Sequence, residues 1–143
     1  MKSHEEARRD LVRQWVAKAE KDFDLSRHLV SEGCFYREAI AFSAQQAAEK
    51  FLKAFLISHQ IDFPKTHNLG ELLDLVARID AALAEHLRDA TALNPYGVEY
   101  RYPGDFPELT QEDAEAALGL AQKVRAALIP QLARFLAEPQ APE

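Results

Sequence analysis

Apolar residues recur at three- and four-residue steps along most of this chain, the spacing of one face of an α-helix. Over residues 5–31, Val12, Trp15, Val16, Ala19, Phe23, Ser26 and Val30 fall on a single stripe, with Leu11, Leu25 and Leu29 as a smaller strip beside it. Gly33 supplies a stop. Residues 36–59 predict a second helix of another kind. Ala39, Ile40, Ser43, Ala44, Ala47, Phe51, Ala54 and Phe55 make one face, and Ala41, Ala48, Leu52, Leu56 and Ile57 extend it most of the way round. A helix apolar on most sides belongs at the centre of a fold. Its polar residues narrow to a seam of Gln45, Gln46, Glu49 and Lys53, in which Glu49 and Lys53 stand in the favourable i,i+4 order.

Pro64 breaks the pattern over 60–68, and Asn68 with Glu71 has the spacing of a helix N-cap box. A short helix follows, with Leu69, Leu72, Leu73, Val76 and Ile79 on its face. Asp80 is placed to cap a fourth helix over 81–93, which Asn94-Pro95 should end. Residues 94–109 then read as one irregular segment holding three prolines, two glycines and three tyrosines. Thr110 with Asp113 has capping-box spacing for a last helix lined by Ala114, Ala117, Ala121, Val124 and Leu128. Pro130 should kink or stop it near 126–129. The expected fold is all-α, an antiparallel up-and-down bundle of four to five helices, with one domain over 1–137 and a frayed tail over 138–143.

Composition agrees with that class. Of 143 residues, 48% are hydrophobic and 28% charged, and only five are glycine. That length can bury a core without help from a metal or a disulfide. The net charge of −6 argues against broad electrostatic capture of nucleic acid, while leaving room for a local basic patch. Cys34 is the single cysteine, so no internal disulfide can form, as expected of a cytoplasmic protein. Six of the first ten residues are charged, unlike a signal peptide, and no run approaches the length of a membrane span.

Four residues draw attention as ligand contacts. Lys53 ends the polar seam and could hold a phosphate or carboxylate, or could simply pair with Glu49. His67 stands just before a helix N-terminus, where it could meet an anion or move a proton, or act as a turn residue. Arg101 offers a planar fork for phosphate and Tyr102 a face for a base, unless the loop packs on its own aromatics. Gln45, Gln46 and Glu49 could line a site, or make hydrogen bonds between helices or across a dimer seam. The strip of Leu11, Leu25 and Leu29 is a candidate dimer surface, unless it simply covers another helix. The five histidines are scattered without a His-x3-His pair, and no glycine-rich phosphate loop is present, so no metal or other cofactor is expected.

Three segments in order carry a family resemblance: AIAFSAQQAAEKFLKAFLI, then KTHNLGELL, then YRYPGDFPELTQEDAEAALGLAQKV. Between about Trp15 and Val124 the chain resembles the HEPN family of prokaryotic helical domains. The resemblance implies a helical bundle that dimerises, often with a small nucleotidyltransferase as partner. Some members are metal-independent ribonuclease toxins, and others bind nucleotides or serve as scaffolds. The ribonuclease branch carries Arg-x4–6-His, which is not found here. Arg78 stands eight residues before His86, and Lys53 with His59 has the spacing but not the arginine. Three functions follow: a homodimeric module binding a nucleotide or RNA through Lys53, His67, Arg101 and Tyr102; an atypical ribonuclease with His67 and Arg101 as catalytic pair; or a protein partner of a nucleotidyltransferase.

Overall fold

The computed structural model describes residues 2–97 and 108–138. Its α-helices are α1 (His4–Ser31), α2 (Arg37–Ser58), α3 (Leu69–Ala77), α4 (Ala81–His86) and α5 (Gln111–Ala137), with a 3₁₀ helix (Arg88–Gly97) between α4 and α5. Together they form an all-α bundle. Ser3 caps α1 by accepting from the Glu6 N–H, and the chain leaves α1 through Gly33 at φ +109°, a backbone region open to glycine. The turn into α2 that follows makes α1 and α2 an antiparallel pair. Ser26 Oγ donates to the Ile40 carbonyl at 2.9 Å, and Lys50 of α2 pairs with Asp22 of α1.

The long helix α5 runs back along α1. Glu20 receives the Arg125 guanidinium at 2.6 and 2.9 Å, and the Arg9 guanidinium donates to the Phe135 carbonyl. Residues low in α1 therefore meet residues high in α5, the antiparallel sense. Helix α2 lies between these two and beneath α3, which explains its nearly all-round apolar pattern. Ala41, Ala44, Ala47, Ala48, Phe51, Leu52, Ala54 and Leu56 have no exposure at all. Each fully buried Leu or Phe contributes about 1.5–3 kcal/mol by leaving water.

Three expectations are corrected. The predicted fourth helix over 81–93 is broken at Leu87, after which the chain tightens into the 3₁₀ helix. Leu87, Ala90 and Leu93 repeat every third residue and are all buried, which is the side-chain register of a 3₁₀ helix. Asn94-Pro95 does not end this element, because Pro95 lies inside it and Asn94 reaches out to accept from the Leu69 N–H at 2.8 Å. Pro130 does not stop α5, which continues to Ala137. Pro130 and Ala126, whose carbonyl loses its helical partner, both lie on the exposed side, where water can take the bond. The capping box of Thr110 and Asp113 is formed with both hydrogen bonds. Asp80 caps α4 through the Leu83 N–H, and Asn68 caps α3 through the Gly70 N–H.

Candidate functional site

Gln45, Glu49 and Lys53 follow one another at i,i+4 on α2 and so share a face. That face turns inward: the three are 0%, 3% and 6% exposed. A carboxylate so deeply buried must be compensated, and Glu49 is compensated on both oxygens. Its Oε2 meets Lys53 Nζ at 3.0 Å. Its Oε1 takes Gln45 Nε2 at 3.2 Å and lies 2.9 Å from His67 Nδ1. Gln45 is held in turn by Gln46, whose amide donates to it at 2.6 Å, and Gln45 Nε2 also donates to the His67 carbonyl at 3.2 Å. Lys53 ends among aromatic faces, with Nζ 5.6 Å from the ring centroids of both Trp15 and Phe63.

His67 comes to this seam from the loop between α2 and α3. Thr66 Oγ1 accepts from the Asn68 N–H at 3.0 Å, and the Asn68 and Asn94 side chains tie down the first turn of α3. The His67 side chain is 73% exposed, so one edge touches buried Glu49 and the rest faces solvent. A carboxylate paired with an ammonium accepts only, so the proton of a neutral His67 sits on Nδ1. That leaves Nε2 facing outward, held in direction by the Glu49 bond: an acceptor in the neutral ring, and in the imidazolium a donor to an anion.

The structure thus brings Lys53 and His67 to one carboxylate, although Lys53 is buried and has little surface for a ligand. Arg101 and Tyr102 lie outside the described residues. Gln45 and Glu49 bond to each other and to His67 of the loop rather than to a second helix, and the joining of Lys53 and His67 through Glu49 was not foreseen. The i,i+4 ladder was visible in the chain, whereas the loop that carries His67 back over it was not. Of the small strip on α1, Leu11 and Leu25 are exposed, at 43% and 47%, while Leu29 packs beside Cys34, Ile40 and Ala114.

Two cavities open near the seam and at the bundle end. One of about 600 Å³ is lined by Arg8, Leu11, Trp15, Ile57 and residues 60–63 of the loop after α2. The other, of about 520 Å³, gathers Arg8, His59 and Arg134 with Glu5 and Glu138 where the ends of α1, α2 and α5 meet. Partial burial, and secondly the Arg8 guanidinium, hold the His59 imidazole below its ordinary 6.5. The unfolded chain therefore binds this proton more readily than the folded one, so His59 costs stability as pH falls below about 6.5. The urea midpoint should drop between pH 7.5 and pH 5.5 by less in His59→Gln than in the parent chain. An equal drop in both would show that His59 does not contribute. Among the described residues there is no group of three or more His, Cys, Asp or Glu side chains placed to hold a metal ion, and no helix long and apolar enough to cross a membrane.

Comparison with known proteins adds the following. The model of the HEPN domain family matches residues 12–132. Among solved structures, the crystal structure of ST0689, an archaeal HEPN homologue, superposes with a TM-score of 0.63 at 25% identity, covering 85% of this chain and 97% of that one. No curated protein gives a significant match.

Proposed function

The chain belongs to the HEPN domain family, and from that premise we propose that it is a binding module that takes a phosphate of a nucleotide or of RNA beside His67. The observation that carries the reading is the His67–Glu49–Lys53 relay: an exposed imidazole whose inner nitrogen is fixed by a buried carboxylate, itself neutralised by a buried ammonium. Burial on that scale costs free energy that a plain surface turn does not require, so the directed outer face of His67 is the natural contact for a ligand. In this reading Lys53 holds Glu49 and tunes the site from behind. Arg101 and Tyr102 supply the fork and the stacking face. Gly97, the last described residue before them, lies against Gln45, for a Cβ placed there would come 3.1 Å from its amide. The module acts as a homodimer and as the partner of a small nucleotidyltransferase.

A second reading is favoured by the same pair. A histidine oriented by a carboxylate is the arrangement of a general base, so His67 would move the proton and Arg101 would stabilise the phosphate charge of a metal-independent ribonuclease. One experiment separates the two. The purified chain is incubated with total RNA in chelator beside His67→Ala and Arg101→Ala, and the same proteins are titrated calorimetrically with a mononucleotide panel. The binding reading expects intact RNA, and mononucleotide affinity that falls roughly tenfold or more in each variant. Cleavage lost in both variants would replace it with the ribonuclease. Affinity unchanged in both would remove His67 and Arg101 from any site.

A further inference from the structure

We propose that Gln45 is the positioning residue of the His67 site and that Gly97 governs it. The end of the 3₁₀ helix rests on the Gln45 carboxamide, and so couples the course of that element to the direction in which His67 points. The geometry stands by itself, and only its consequence for a ligand rests on the phosphate reading above. An imidazole that is 73% exposed and bonded at one nitrogen is free to swing into water unless its backbone is also held. Gln45 holds both ends. Its Nε2 donates one N–H to the His67 carbonyl and the other to Glu49 Oε1, the oxygen that also meets His67 Nδ1. Gln46 donates to the oxygen of the same carboxamide. The amide therefore cannot turn over without setting oxygen against oxygen at both Glu49 and His67.

Gly97 covers this carboxamide. A Cβ placed on it would lie 3.1 Å from Cδ, 3.1 Å from Nε2 and 3.4 Å from Oε1, near-equal distances that put it over the face of the amide. Gly97 does not hold a positive φ, so glycine is needed there for close approach and not for its backbone freedom. A methyl group would push the amide by a few tenths of an ångström across its own plane. The N–H groups of an amide lie in that plane, and both Nε2 bonds measure 3.2 Å, the long end of the N–H···O range. One displacement therefore bends and stretches the two together. Gln45 is fully buried, so water cannot replace the bonds it loses.

The test reads His67 directly. At about pH 8, above the ordinary histidine value, nitrogen-15 NMR of the full chain tells which ring nitrogen carries the proton. The parent chain should hold it on Nδ1, and Gly97→Ala and Gln45→Met should each lose that preference. The double variant should match Gln45→Met alone, because Gly97 acts through Gln45. Gly33→Ala is the control. It is strained at φ +109°, with nothing within 4 Å of its added Cβ, so it should lose stability without moving the His67 signal. Calorimetry with AMP on the same proteins separates this proposal from the reading it rests on. Release of the proton from Nδ1 in both single variants, with AMP bound roughly tenfold more weakly, supports both. The same release with no AMP binding even by the parent ends the phosphate reading and leaves Gln45 as the residue that directs His67. The proposal is overturned by a parent ring protonated on Nε2, or by a proton that stays on Nδ1 in either single variant. It is also overturned by a double variant that shifts the signal beyond Gln45→Met, or by an equal shift in Gly33→Ala.

Discussion

Glu49→Ala is expected to destabilise the chain by about 3–5 kcal/mol, because it strands a lysine in the interior. Lys53 is 6% exposed and its ammonium lies 3.0 Å from Glu49 Oε2. Among the described residues the Trp15 and Phe63 rings also face it, and they attract a cation by far less than desolvation costs. The same substitution removes the acceptor of Gln45 Nε2 and of His67 Nδ1. Lys53→Met should cost a comparable amount by stranding the carboxylate. The informative variant is the double one. Glu49→Leu combined with Lys53→Met removes both buried charges of the seam and should be more stable than either Glu49→Ala or Lys53→Met alone. Urea midpoints at constant m-value read all three. A single-variant loss below about 1 kcal/mol would mean that water reaches the pair and that it behaves as a surface salt bridge. A double variant worse than both singles would mean that the seam does not accommodate the two apolar side chains.

The contrast between this seam and the rest of the chain shows how far the sequence could be read. Helical periodicity is a local signal, so α1, α2, α3 and the capped start of α5 are legible from residues a few positions apart. The central place of α2 follows from the same signal, since a stripe that wraps most of the way round leaves no side for water. What failed was also local but finer. Leu87, Ala90 and Leu93 recur every third residue. Read as 3.6-residue periodicity that becomes one α-helix over 81–93, and read at its true spacing it is the 3₁₀ helix that the structure contains. Of the kink or stop that Pro130 suggested, the stop does not occur, because the cost of proline depends on where the freed carbonyl lies. On an exposed face the freed carbonyl of Ala126 can be hydrated, and the buried partners Leu128 and Leu132 on the opposite side keep the helix going.

The candidate site was legible only in halves. Lys53 and Glu49 are four residues apart on one helix, so their pairing could be foreseen. His67 lies eighteen residues from Glu49, across the break at Pro64, and nothing in its spacing says that the loop folds back onto α2. That contact depends on Gln45 catching the His67 carbonyl and on Asn68 and Asn94 fixing the start of α3, which are tertiary bonds. The cavity beside Trp15 was hidden for the opposite reason. Trp15 sits on the core stripe of α1, and a stripe residue reads as core. In the fold it is only half buried and turns one face to the cavity.

Phe51→Ala should produce a loss of about 3–5 kcal/mol by packing alone, without any charge being involved. Phe51 is fully buried in the middle of α2. Its helical neighbours Ala44, Ala47, Ala48 and Ala54 are also fully buried, so the helices around α2 approach it over small side chains and their backbones have little room to move closer. The volume of this part of the core is supplied by Phe51 and Phe55, and a hole left at Phe51 cannot be filled by side chains that are already alanine. Phe51→Leu, which keeps most of the volume, should cost much less, about 1.5 kcal/mol or below. The two losses differ in kind from that of Glu49→Ala. Removing a ring from an apolar core changes no protonation equilibrium, so the Phe51→Ala deficit should be the same at pH 5.5 and pH 7.5 and indifferent to salt. The Glu49→Ala deficit arises instead from a buried ammonium left without its carboxylate. A Phe51→Ala chain within about 1 kcal/mol of the parent would mean that the alanine-lined helices do close over the gap, and that α2 is held less rigidly than its burial implies.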